Sequence, residues 1–94
     1  MPETIAQLLA TDAARIKLGA RGISTGEAEQ LPRNRHAMVG NPRSGGEEGE
    51  RVLLIGRTDG GRALTLVLER TLDPTSWLIV TGWDSSNRER RILD

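Results

Sequence analysis

The chain of 94 residues carries thirteen basic and thirteen acidic side chains, one histidine, two tryptophans, and no cysteine, tyrosine or phenylalanine. That length fits one domain over residues 1–94, and the missing cysteines exclude disulfides, thiolate metal sites and thiol nucleophiles, while a lone histidine excludes a multi-histidine metal site. A formal charge of zero argues against a generic polyanion binder, which draws on surplus lysine and arginine, and any base-stacking platform would rest on Trp77 or Trp83.

In chain order, Ile5, Leu8, Leu9, Ala13 and Ile16 recur at three- and four-residue spacing. The pattern predicts a first helix, with Thr4 as its cap and Gly19–Gly22 as its stop. Ser24-Thr25-Gly26-Glu27 is a capping box that opens a second helix; Ile23 precedes it as a staple for Ala28, and Leu31-Pro32 closes it. Ala37-Met38-Val39 reads as a short strand, and residues 40–50 as a flexible loop, glycine-rich but without the lysine of a phosphate-binding loop.

The second half is strand-like. Val52–Ile55 runs into Asp59-Gly60-Gly61, a hairpin turn, and the return strand alternates, with Leu64, Leu66 and Leu68 on one face and Thr65, Val67 and Glu69 on the other. After the turn at Asp73-Pro74-Thr75, Trp77, Ile79, Thr81 and Trp83 are expected to share one face of a third strand. Ser86-Asn87-Arg88-Glu89 is a second capping box, opening a C-terminal helix. The expected fold is α+β: two N-terminal helices, a three- to four-stranded antiparallel meander covered on one face, and a short last helix. No apolar run approaches the roughly 18 residues of a membrane span and no signal peptide is evident, so the expectation is a soluble, cytoplasmic protein without a membrane partner.

Several side chains could carry chemistry. His36 is the only imidazole and would be the obvious general acid or base, but no neighbouring carboxylate is evident to orient it, which favours a plain surface histidine. Arg57 and Arg62 flank the hairpin turn, where they could clamp one phosphate or a partner's carboxylates; otherwise they are a wet hairpin end with Asp59 as counter-ion. Arg88 and Arg91, three apart on the last helix, and Lys17 and Arg21, four apart on the first, could extend such a basic patch or form ordinary solvated faces. Twelve of the thirteen basic residues are arginine, which suits bidentate phosphate or carboxylate contacts and is equally the mark of a GC-rich genome.

Taken together, three runs resemble a known family. Arg21-Gly22-Ile23-Ser24-Thr25-Gly26-Glu27-Ala28 looks like the helix-to-helix junction of BrnT-type toxins, within the RelE-like group of bacterial toxin–antitoxin systems. Ile55-Gly56-Arg57-Thr58-Asp59-Gly60-Gly61-Arg62-Ala63-Leu64 looks like their central hairpin. Thr81-Gly82-Trp83, followed by Arg88-Glu89-Arg90-Arg91, is similar to their final strand and last helix. The resemblance implies a helix–helix–meander–helix fold, metal-independent ribonuclease activity without a cofactor, and neutralisation by a cognate antitoxin. It casts Arg57 and Arg62 as the phosphate and transition-state ligands and matches Glu89, Arg90 and Arg91 to the charged start of the last helix. On that reading Glu89 or His36 is the candidate for proton transfer, and the basic side chains singled out above by their spacing, Lys17, Arg21, Arg88 and Arg91, are the candidate further RNA contacts.

The chain departs from the family pattern at Ala20-Arg21, where a basic pair is usual, and at Trp83-Asp84, where an arginine closes the last strand. These departures and the neutral charge leave a second reading open. It is a non-catalytic protein-interaction domain on the same scaffold, binding an acidic or apolar partner segment through its arginines and through Trp77 or Trp83. An open sheet edge would also permit a homodimer. Convergence of Arg57, Arg62, Arg88 and Arg91 in one concave patch separates the two readings.

Overall fold

The computed structural model describes residues 5–40 and 51–93. The expected Thr4 cap, and the 40–50 loop apart from Gly40, lie outside the described residues. The elements are β1 (Gln7–Ala10), α1 (Asp12–Gly19), α2 (Thr25–Gln30), a 3-10 turn (Leu31–Arg33), β2 (His36–Gly40), β3 (Arg51–Arg57), β4 (Ala63–Arg70), β5 (Ser76–Asp84) and α3 (Asn87–Leu93). The α+β class is as expected, but the sheet has five strands in the order β1-β5-β4-β3-β2, with β1 parallel to β5 and every other pair antiparallel.

The start of the chain departs from its apolar periodicity. Leu8 and Leu9 belong to β1, where the pleat sends Leu8 into the core opposite Trp77 and leaves Leu9 exposed. The helix begins later, where Thr11 Oγ1 accepts the Ala14 N–H at 3.1 Å as an N-cap. Its buried face is Ala14 and Leu18, and Ile16 is 73% exposed. The open side of β5 offered this segment a ladder of backbone partners, which outweighs a weak helical pattern interrupted by a cap.

Both capping boxes form. Ser24 Oγ accepts the Glu27 N–H and Glu27 Oε1 accepts the Ser24 N–H, each at 3.1 Å. Ser86 and Glu89 repeat the exchange at 3.2 and 2.8 Å. Ile23 and Ala28, the expected staple pair, are both buried in the core.

The sheet has two covered faces rather than one. On the first, Leu54, Leu64, Leu66, Leu68, Trp77 and Ile79 pack against Ala14, Leu18, Ile23, Ala28 and Leu31 of the N-terminal helices and the turn that follows. On the second, α3 closes over the β2–β3 side, and Ile55, Thr65, Ser85 and Leu93 are buried. The polar atoms there are satisfied, with Thr65 Oγ1 and Ser85 Oγ 2.8 Å apart. The six residues Ala63–Leu68 of β4 are buried throughout, although their polar alternation suggested one wet face.

Trp77 and Trp83 do not share a face. Neighbouring Val67 and Leu68 pair with Thr81 and Ile79, so Val80 is an extra residue in β5. A bulge of one residue inverts the side-chain alternation beyond it. Trp77 and Ile79 therefore enter the helix-covered core, whereas Thr81 and Trp83 fall on the α3 face. Past the bulge, Gly82 sits beneath α1: a Cβ there would stand 2.6 Å from Leu66 Cδ2, 3.0 Å from the Thr65 carbonyl and 3.1 Å from Leu18 Cδ2.

Gly82→Ala is therefore expected to destabilise the protein by about 1–3 kcal/mol, because the Thr65 backbone cannot yield. At Gly19, the last residue of α1, a Cβ meets nothing within 4 Å. Gly19→Ala is expected to be neutral or stabilising by up to about 0.5–1 kcal/mol. Urea unfolding of the two variants checks the contrast.

Candidate functional site

The hairpin turn, where the sequence concentrates its candidate phosphate ligands, is held from both sides. Thr58 N–H donates to Arg62 O and Gly61 N–H to Thr58 O, each at 2.9 Å, and Gly61 takes φ +90° to complete a three-residue loop. Asp59 is not the counter-ion of the flanking arginines. Its carboxylate pairs with Arg33 and accepts the Asn34 amide at 2.9 Å, and its N–H donates to Gln30 Oε1 at 2.9 Å. The Arg33 hydrogen bond, helped by Asn34, holds the Asp59 carboxyl below its ordinary pKa.

Arg62 turns the other way, onto the α1–α2 junction. Nε and Nη2 grip the Asp84 carboxylate side-on at 2.7 and 3.0 Å, and Nη2 also reaches the Arg21 carbonyl at 3.4 Å. Nη1 donates to the Gly22 carbonyl at 2.8 Å and to Glu27 Oε2 at 3.2 Å. A guanidinium has five N–H donors, and here each has an acceptor. The Asp84 hydrogen bonds, opposed by partial burial and reinforced by Glu27, hold Arg62 charged well above the ordinary arginine range. Asp84 is lowered in turn by Arg62, and Glu27 by the Ser24 N–H first and by Arg62 after it. Glu27 thus serves twice, as the return half of a capping box and as a ligand of Arg62.

Arg57 does not join this cluster. Gly56 lies directly under Leu31, so the pleat turns Arg57 to the α3 side of the sheet, where its Nη1 donates to the Gly61 carbonyl at 3.0 Å. The two hairpin arginines therefore stand on opposite faces. Glu89 lies on the Arg57 face but is occupied: it accepts the Trp83 indole N–H at 3.1 Å besides the Ser86 N–H. Burial pushes its carboxyl up, the Ser86 N–H and Trp83 outweigh that, and the net displacement is downward. His36 is exposed at the far edge of the sheet, on β2, with Nδ1 2.8 Å from the Asn34 carbonyl. β3 separates β2 from β4, so about 10 Å of sheet lies between His36 and the strand that follows Arg62.

The remaining candidates are dispersed. Arg21 reaches over the end of β5 and donates to Gly82 O at 2.7 Å and to Thr81 Oγ1 at 3.2 Å. With Lys17, Ala20 and Thr81 it lines a shallow depression. Arg88 and Arg91 are exposed on α3. Trp77 is wholly buried, one side of its ring covered by the Arg70 guanidinium 4.7 Å from the centroid, so it offers no surface to a partner; Trp83 is half-buried. The residues that sequence reasoning missed are Glu27, Asp84, Arg33 and Asn34. Only Glu27 carried a local signal, its capping box.

Among the described residues no three His, Asp or Glu side chains form a group that could hold a metal, and no helix is long and apolar enough to cross a membrane. No family model matches the chain, and comparison with curated proteins and with solved structures returns no match.

The side chain of Arg62 is 31% exposed, so solvent screens each of its ion pairs. Arg62→Ala is expected to cost roughly 1–2 kcal/mol, or about 5–10 °C in Tm. Glu27 and Asp84 have lowered folded-state pKa values, so their contribution is complete above the unfolded values and disappears as pH falls through the folded ones. The stability gap between the parent chain and Arg62→Ala should therefore narrow from about pH 5 to pH 2–3. Thermal unfolding across that range measures it.

Proposed function

We propose that the chain is a non-catalytic protein-interaction domain, on the small-toxin scaffold that its junction and hairpin resemble, and that it binds a partner segment both apolar and acidic. The engagement of Arg62 carries this reading. A phosphate ligand in RNA cleavage must offer N–H donors to the pentacoordinate oxyanion, and each donor of Arg62 already has an acceptor in Asp84, Glu27 or a backbone carbonyl. Releasing it would break its ion pairs with two carboxylates. Arg57 and Glu89 lie across the sheet from Arg62, and His36 is on a distant edge.

The same geometry supplies a binding surface. On the α3 face the cross-strand row Thr81–Val67–Leu53–Val39 lies beside the row Ile55–Thr65–Trp83. Thr81, Leu53 and Val39 remain partly exposed. Lys17, Arg88 and Arg91 are exposed and form no ion pair with another described residue. Apolar rows with unpaired cations suit a segment that alternates apolar and acidic side chains. A cognate antitoxin-like protein is one such partner, as the resemblance implies.

RNA cleavage is the competing reading, and one set of assays tells them apart. Purified protein should leave total bacterial RNA intact, and induction in a bacterial host should not arrest growth. A peptide of alternating leucine and glutamate should shift the tryptophan emission, less so at high salt and not at all in Leu53→Glu. Cleavage of RNA that is lost in a folded Arg57→Ala variant would overturn the proposal.

A further inference from the structure

The two edges of the sheet are protected unequally. At the β1 end the edge strand has four residues, and where β5 runs on beyond it the Gly82 carbonyl is taken by Arg21. At the other end stands β2, His-Ala-Met-Val-Gly, with no lysine, proline or acid between His36 and Gly40 and no described strand outside it. Short strands, bulges, charges and prolines are how sheets blunt an edge. β2 is short and led by the basic Arg35 and His36, but it carries no proline and no bulge, and its register with β3 is unbroken.

The register shows which backbone groups face outward. Thr58 and Arg62 form a hydrogen-bonded pair at the turn. Alternation along an antiparallel ladder then points the backbone groups of Gly56, Leu54 and Val52 at β4, and those of Arg57, Ile55 and Leu53 at β2. The Asn34 amide, donating to the Arg57 carbonyl at 3.0 Å, lies on that second side. Ala37 pairs with Ile55 and Val39 with Leu53, so Ala37 and Val39 spend their N–H and C=O groups on β3. Those of His36, Met38 and Gly40 point away from the sheet.

We propose that this edge pairs with β2 of a second copy, antiparallel, about a two-fold axis at Met38. That axis uses all three outward residues: Met38 faces its symmetry mate and His36 faces Gly40 in both directions, for about six backbone hydrogen bonds. Met38, partly buried against the core, adjoins the other Met38 and extends the apolar layer. His36 meets a glycine, where there is room for the imidazole, and Ala37 lies beside Val39. The product is a continuous ten-stranded sheet.

Charge favours a second copy in this orientation. The formal charge of each chain is zero, so the copies carry no net repulsion. The antiparallel arrangement also puts the basic end of β2, Arg35 and His36, at opposite ends of the seam. With four residues at about 3.4 Å each, the two His36 backbones are about 14 Å apart, beyond the roughly 8 Å screening length at physiological salt.

Sedimentation and amide exchange on the full chain test the proposal together. The mass should approach twice 10.3 kDa as concentration rises. The Met38 and Gly40 amides should then exchange as slowly as those of Ala37 and Val39. Gly40→Pro removes an outward N–H twice per dimer and leaves the β3 ladder intact. It should shift the mass to the monomer at the same concentration while Ala37 and Val39 stay protected. A monomer at all concentrations, or a dimer whose Met38 amide exchanges freely, would overturn the proposal. Both readouts on the parent chain decide the matter even if Gly40→Pro does not fold.

Discussion

The side-on pairing of Arg62 with Asp84, completed by Glu27 and the Gly22 carbonyl, is the interaction on which the rest of the arrangement depends. It fastens the turn between α1 and α2 to the place where the β4–β5 ladder brings the first residue after the hairpin loop beside the last residue of β5. Each pair is half-exposed and weak by itself. Their worth lies in sharing one rigid planar cation, so that loss of any one arm leaves the others poorly placed. On the opposite side of the loop, Gln30, Arg33 and Asn34 hold Asp59. A turn secured in this way is a structural joint.

A second economy recurs at both helix starts. Glu27 and Glu89 each close a capping box, and each also accepts from a residue distant in sequence or on another element, Arg62 in one case and the Trp83 indole in the other. The box fixes where the helix begins, and the second bond fixes where that beginning sits on the sheet. The two boxes serve opposite faces. The candidate chemistry of the sequence is thereby divided, with Arg62 and Glu27 on the face of the N-terminal helices, and Arg57 and Glu89 on the face of α3.

What was legible in the sequence was local. Both capping boxes, the Asp59-Gly60-Gly61 turn, the short strand at Ala37–Val39 and the α+β class depend on neighbours within a few residues, and each is present. The β1 strand was not legible, because Leu8 and Leu9 suit a helix as well as a strand and the deciding partner, β5, lies about seventy residues on. The common face assigned to Trp77 and Trp83 failed for a related reason: nothing in the composition of Ile79-Val80-Thr81 announces a bulge. The dispersal of the site followed from the same limits. Arg62 finds its acceptors 35 and 22 positions away, and charge-pair geometry of that range leaves no periodic trace.

A guanidinium spent on holding a fold and a guanidinium waiting for phosphate differ in one observable property, the freedom of the group to rotate. The central claim is that Arg62 is of the first kind. Side-chain nitrogen NMR at neutral pH measures this directly, before and after addition of RNA. Separate, slowly exchanging Nη resonances for Arg62 that stay unmoved when RNA is added are the predicted result. A single averaged resonance that shifts on RNA addition would contradict it.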